Sequence, residues 1–162
     1  METAKERLLR LSAERFEESL RTLEGVSEAE ARADRRPDWP GHENHVAQDG
    51  SIAGIVHHVA AWKQAFLEYL RGNHVDYRTV GPAKPTFAEL QMWLKRVGEA
   101  WLAEAAAVPE ADLEKPLDVP GLPGHAPWYT PLNMMQELLD HEIEHLGQIH
   151  YLLEAHKCAS AR

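Results

Sequence analysis

The chain has 162 residues, with 17 Lys and Arg against 26 Asp and Glu, ten His, a single Cys and a formal charge of −9. This length allows one domain, expected to span residues 1–162, whose core needs no disulfide or metal staple. The acidic balance excludes nucleic acid or an anionic membrane as the main partner, because both reward a basic face. No segment approaches the roughly 20 apolar residues of a membrane span. The opening METAKERLLR lacks the apolar core of a signal peptide, so the cytoplasm is the expected location.

Residues 3–24 carry Leu9, Phe16, Leu20 and Leu23 at three- and four-residue spacing, which predicts an amphipathic helix ended by Gly25. The charged stretch SEAEARADRR adds a turn or two before Pro37. A second helix is predicted over 51–71, with Ser51 as N-cap, Gly72 as stop, and Ile52, Ile55, Val59, Trp62, Phe66 and Tyr69 in phase. The third runs from Thr86 to Val108 and carries Phe87, Leu90, Leu94, Val97, Trp101 and Ala105. The fourth starts at Thr130-Pro131, a cap followed by proline at the first helical position, and reaches Lys157 with Met134, Leu138, Ile149 and Leu152 on its stripe. No stretch alternates as a strand would. The fold class is therefore all-α, and four amphipathic helices most simply form a four-helix bundle. Long connections rich in Pro and Gly follow the first helix (34–50) and the third (109–130), where they could cover one end of the bundle.

Helical phase sorts the histidines. In His141-Glu142-Ile143-Glu144-His145 the two imidazoles are four residues apart, on one helix face and within about 6 Å of each other. Both fall on the side of Met134, Ile149 and Leu152, so they point inward as a candidate metal pair. In the second helix His58 lies about 60° from the centre of the apolar stripe, whereas His57 lies about 160° away and is expected at the surface or in an interface. Phase therefore selects His58, His141 and His145. Three imidazoles leave a coordination position open; Zn²⁺ suits the set, with Ni²⁺, Fe²⁺ or Mn²⁺ as alternatives. Glu142, about 40° from the stripe, is placed to act as a base or to orient an imidazole. Gln148 flanks the same face and could bond a ligand or a histidine. Trp39 and Trp128 in the long connections are candidate substrate contacts, as are His42, His45 and His125. Cys158 faces nearly opposite the histidines and is a poor nucleophile candidate.

H-E-x-x-H alone is the zinc-protease pattern. The context disagrees: Gly147 and His150 fall one residue short of the metzincin spacing, only 17 residues remain for a downstream acidic ligand, and no sheet is predicted. A different comparison uses more of the chain. Ser51-Ile52-Ala53-Gly54-Ile55-Val56-His57-His58-Val59-Ala60-Ala61-Trp62 resembles the second helix of the DinB/YfiT-like superfamily, and His141 to Gln148 resembles its H-x-x-x-H-x-G-Q motif. The resemblance implies that His58, His141 and His145 are the metal ligands, in a bundle of up-down-down-up connectivity that is commonly a homodimer. Leu146 stands where a basic residue is often found, a change expected to alter the surface around Gly147. Mid-helix Gly147 itself suggests close packing against another helix or a second subunit.

Characterised members of that superfamily include transferases that use a low-molecular-weight thiol such as bacillithiol or mycothiol. The implied activity is thus metal-dependent transfer of such a thiol to a small-molecule electrophile. The alternatives are a metal-dependent hydrolase with an activated water, in which Glu142 is the base, and a non-catalytic module for stress response or binding, stabilised by its metal.

Overall fold

Each α-helix of the described chain begins behind a hydroxyl side chain. The computed structural model describes residues 2–33, 50–121 and 128–160. Its helices are α1 (Ala4–Leu23), α2 (Glu28–Arg32), α3 (Ile52–Leu70), α4 (Phe87–Ala107) and α5 (Pro131–Ser160), with a 3-10 turn at Glu110–Asp112. No strand occurs among the described residues. Thr3, Ser27 and Thr86 each accept a bond from the backbone N–H three residues on, and Glu6, Glu30 and Glu89 accept from the cap N–H in return. Ser51 accepts from the Gly54 N–H at 3.0 Å, and Thr130 from the Asn133 N–H at 3.2 Å. Each cap contributes about 1 kcal/mol and sets where its helix starts. Trp39, His42, His45 and His125 lie outside the described residues.

Helices α1 and α3 each pack against both α4 and α5, so the four long helices form a closed ring; α2 rests on α3 and α4. Contacts near the helix ends set their senses. Lys5, at the start of α1, donates to the Ala106 and Val108 carbonyls at the end of α4, while Gln91 near the start of α4 donates to the Leu23 carbonyl. These two helices are antiparallel. So are α3 and α5, because His58 meets His141 and Phe66, two turns later, meets Tyr129. No helix among the described residues is long and apolar enough to cross a membrane.

The predicted stripe of α4 is buried in full, from Phe87 to Ala105. Large apolar side chains there contribute roughly 1.5–3 kcal/mol each on burial. Helix α3 departs from a simple amphipathic pattern: Ala53, Val56, Ala60, Ala61, Ala65 and Leu67 are buried along with all of the predicted stripe but half-buried Trp62, because α2, α4 and α5 all pack on it. Two glycines permit close approach. A Cβ at Gly98 would lie 2.3 Å from the Phe16 ring, so α1 and α4 touch most tightly there. Gly81, at φ 106°, seats the α3–α4 connection on the Trp93 ring, where a Cβ would lie 2.4 Å from a ring carbon.

For α5 one expectation is narrowed and one corrected. A Cβ at Gly147 would meet nothing within 4 Å, so this glycine does not mark close packing on another helix among the described residues. Leu146 is 5% exposed and belongs to the interior, since it lies three residues before Ile149 and four after Glu142, both buried. Its apolar character serves the core.

Candidate metal centre

Antiparallel packing of α3 on α5 brings His58 against the i, i+4 pair on the facing helix. The Nε2 atoms of His58 and His141 are 2.9 Å apart, and those of His141 and His145 are 3.1 Å apart. All three histidines offer a ring nitrogen within 4.8 Å of the others; His145 is fully buried, His58 and His141 half-buried. Two nitrogens held tetrahedrally at a Zn–N length of about 2.0–2.1 Å lie about 3.3 Å apart, so the two pairs that share His141 need only a few tenths of an ångström of adjustment. The donor set fits a divalent transition metal.

The orientation of His145 is set from its own helix. Gln148 is one turn away, and its Oε1 lies 2.8 Å from His145 Nδ1, while its Nε2 donates to the Glu144 carboxylate at 3.3 Å. Because Glu144 can only accept when ionised, it fixes which end of the amide is the NH₂. Oε1 must then accept from Nδ1–H. The neutral imidazole is left with its lone pair on Nε2, facing the other two histidines, as a metal ligand requires. Of the two roles expected for Gln148, the contact made is the one to a histidine.

Glu142 is positioned by a partner that sequence reading missed. Its Oε2 accepts from Lys63 Nζ at 2.8 Å, both side chains being only 2% exposed. Its other oxygen has no partner among the described residues. The inward phase expected for Glu142 is seen, but its hydrogen bond goes to Lys63 and to no histidine. Lys63 also lies over the Phe16 ring at 5.1 Å, so its ammonium links α3 to α5 and α1 at the bundle centre. A lysine inside the apolar run AAWKQAF, with an inward-phased glutamate in another helix, was the available signal.

An aromatic wall flanks the histidines. Trp62 lies 5.4 Å from the His141 ring, centroid to centroid, and Tyr77 stacks on it at 4.8 Å while meeting His58 edge-on at 6.0 Å. Tyr77 comes from the connection between α3 and α4, which sequence reading had assigned no role. Trp128 is half exposed and lies edge-on to Tyr129, which in turn meets Phe66, so a line of rings joins it to Trp62. Glu137, four residues before His141, acts electrostatically on Tyr129 of that line.

Burial raises the Glu137 carboxyl above the usual carboxylate range. The folded chain therefore holds a proton there that the unfolded chain has released. Stability carried by this group is present in full below the ordinary carboxylate pKa and is lost as pH rises through the raised value. In metal-free protein, Glu137→Gln should be the more stable form at pH 8, with its advantage over the parent narrowing towards pH 5. Thermal melts at the two pH values check this; a variant less stable than the parent at pH 8 would show that the carboxylate has a stabilising partner.

The remaining described histidines stand apart from the cluster. His57 is half-buried and edge-on to Trp93 of α4, with ring centroids 5.1 Å apart. This corrects the expectation of a surface or intersubunit residue, because the face of α3 opposite α5 is covered by α4. His74 stacks on Tyr69, His150 lies 3.5 Å from Thr22 Oγ1, and His156 lies 3.2 Å from Glu30. Cys158 is exposed. Comparison with known proteins gives one family: the DinB superfamily, matched over residues 8–149, a span that contains all three clustered histidines. No curated protein matches the chain.

Proposed function

We propose that this chain, which belongs to the DinB superfamily, binds a divalent metal through His58, His141 and His145 and transfers a low-molecular-weight thiol, of the bacillithiol or mycothiol kind, to a small electrophile. Zn²⁺ suits the three nitrogens best; Ni²⁺, Fe²⁺ and Mn²⁺ accept the same set. The observation that carries the reading is the make-up of the cluster, which among the described residues contains three imidazoles and no carboxylate. When bound, the metal would act as a Lewis acid that makes a coordinated thiol or water nucleophilic at neutral pH. A thiol, with an ordinary pKa of about 8.5, needs little help to lose its proton, whereas water at 15.7 gains more from a positioned base. Of the carboxylates next to these histidines in sequence, Asp140 and Glu144 are exposed, and the buried one, Glu142, is held by Lys63. This favours thiol transfer over hydrolysis.

The chain's own residues then do three things. Gln148 keeps the lone pair of His145 directed at the cluster. Lys63 and Glu142 tie α3 to α5 at the level of the histidines. Trp62 and Tyr77 form an apolar wall that excludes water from one side. In the transfer, the thiol loses its proton to solvent, its sulfur bonds to the electrophilic carbon, and the leaving group departs with the bonding pair. The reading includes a cytoplasmic homodimer; the exposed Ile143 and Tyr151, either side of exposed Gly147 along α5, support a contact surface there.

Metal-loaded protein should accelerate consumption of a small thiol by monochlorobimane, and a chelator or His58→Ala should abolish the acceleration. If chelation lowers the melting temperature and no thiol in a panel gives an adduct above background, the metal serves the fold alone. Metal-dependent hydrolysis of an ester panel without thiol transfer would instead support the hydrolase.

A further inference from the structure

Three buried polar atoms near the histidines have no hydrogen-bond partner among the described residues: Trp62 Nε1, which can only donate, Glu137 Oε2, and Glu142 Oε1, whose carboxylate already has Lys63 as its counter-charge. Folded interiors pair the large majority of such atoms, so each unpaired one calls for a physical explanation. Trp62 touches His141, and Glu137 stands one turn before it on α5. The Trp62 ring lies against the His141 ring at 5.4 Å, and Glu137 precedes His141 by four residues on α5, which places their Cβ atoms about 5–6 Å apart on one helix face. The surroundings are aromatic, with Tyr77 stacked on Trp62 and Phe66 edge-on to it at 5.2 Å. Lys63, the buried lysine of α3, is already committed to Glu142.

A half-buried carboxyl with no cation paired to it among the described residues is the natural counterpart of a charged donor. Ammonium-to-carboxylate bonds are roughly twice as strong as neutral ones, and the pairing offsets the desolvation that Glu137 bears alone. We infer that Trp62 and Glu137 form the recognition subsite of the histidine centre, which takes a small ligand presenting a primary amine to Glu137 and an oxygen acceptor to Trp62 Nε1 while a third group reaches the metal. The inference rests on the metal-binding part of the proposed function. It adds the amine as the chemical mark of the ligand.

The probes are glycine hydroxamate and acetohydroxamate, which share a metal-binding group and differ by the amine. Each is titrated into cobalt-loaded protein and followed by the visible spectrum of the metal. Wild type should bind glycine hydroxamate about tenfold more tightly, the size of one charge-assisted bond. In Glu137→Gln that preference should fall to about twofold or less with cobalt content unchanged. In Trp62→Phe both hydroxamates should weaken by a similar factor and the preference should survive, a pattern that general loss of structure does not produce. Equal affinities in wild type, or a preference that persists in Glu137→Gln, overturn the subsite and leave the proposed function standing. Wild-type protein that takes up no cobalt overturns both.

Discussion

Lys63→Met should lower the unfolding free energy by about 3–5 kcal/mol, the largest stability effect expected of any single substitution in this chain. The reason is the environment: Lys63 and Glu142 are each 2% exposed and joined at 2.8 Å, so removing the ammonium leaves a carboxylate with neither water nor a counter-charge. The lost packing over Phe16 adds to the effect. The double variant Lys63→Met/Glu142→Leu should recover most of the loss, because replacing a buried pair by apolar groups of similar volume is often neutral or stabilising. Urea unfolding of parent, single and double variants reads both outcomes from the midpoints. A double variant as unstable as the single one would show that the pair is not a desolvated couple and that the lysine stem carries the stability.

The second large effect concerns metal. His58→Ala should weaken metal affinity by at least about 100-fold, since losing even a group that orients a ligand costs 10–100-fold. His57→Ala should leave metal content unchanged, because its ring meets Trp93 on the α4 side. It should lower stability instead, through loss of that edge-on contact. Gln148→Ala lies between the two: with the Nδ1 bond gone, His145 is free to present the wrong tautomer, and affinity should fall within the 10–100-fold range. Metal analysis of protein purified with equimolar Zn²⁺ distinguishes the three. Equal metal in His57→Ala and His58→Ala would sink the assignment of His58.

Much of this molecule is legible in local patterns. Helix spans follow from a 3.6-residue period with hydroxyl caps at Ser51, Thr86 and Thr130, and the structure places those helices within a few residues of where the period puts them. The inward set of His58, His141 and His145 follows from the same arithmetic. What phase conveys is direction relative to one helix axis. It cannot say what waits in that direction.

That gap accounts for the departures. Glu142 has the inward phase expected of it, yet its partner is Lys63, 79 residues earlier in the chain. His57 points away from the apolar stripe, but on α3 away from the stripe means towards α4 and not towards water. Gly147 has an open surface where packing on another helix of the chain was one expectation, and Leu146 is interior where a surface change was expected. Tyr77 reaches His58 only because the α3–α4 connection is seated on Trp93.

By itself, then, the sequence determined the all-α class, the helix faces and the three histidines that point inward, because each of these depends on residues within a few turns of one another. Only the tertiary structure decided which charge neutralises Glu142, what covers His57, and which buried atoms beside His141 are left for a ligand. Those outcomes depend on helices meeting at particular heights and rotations, set by packing across the whole core.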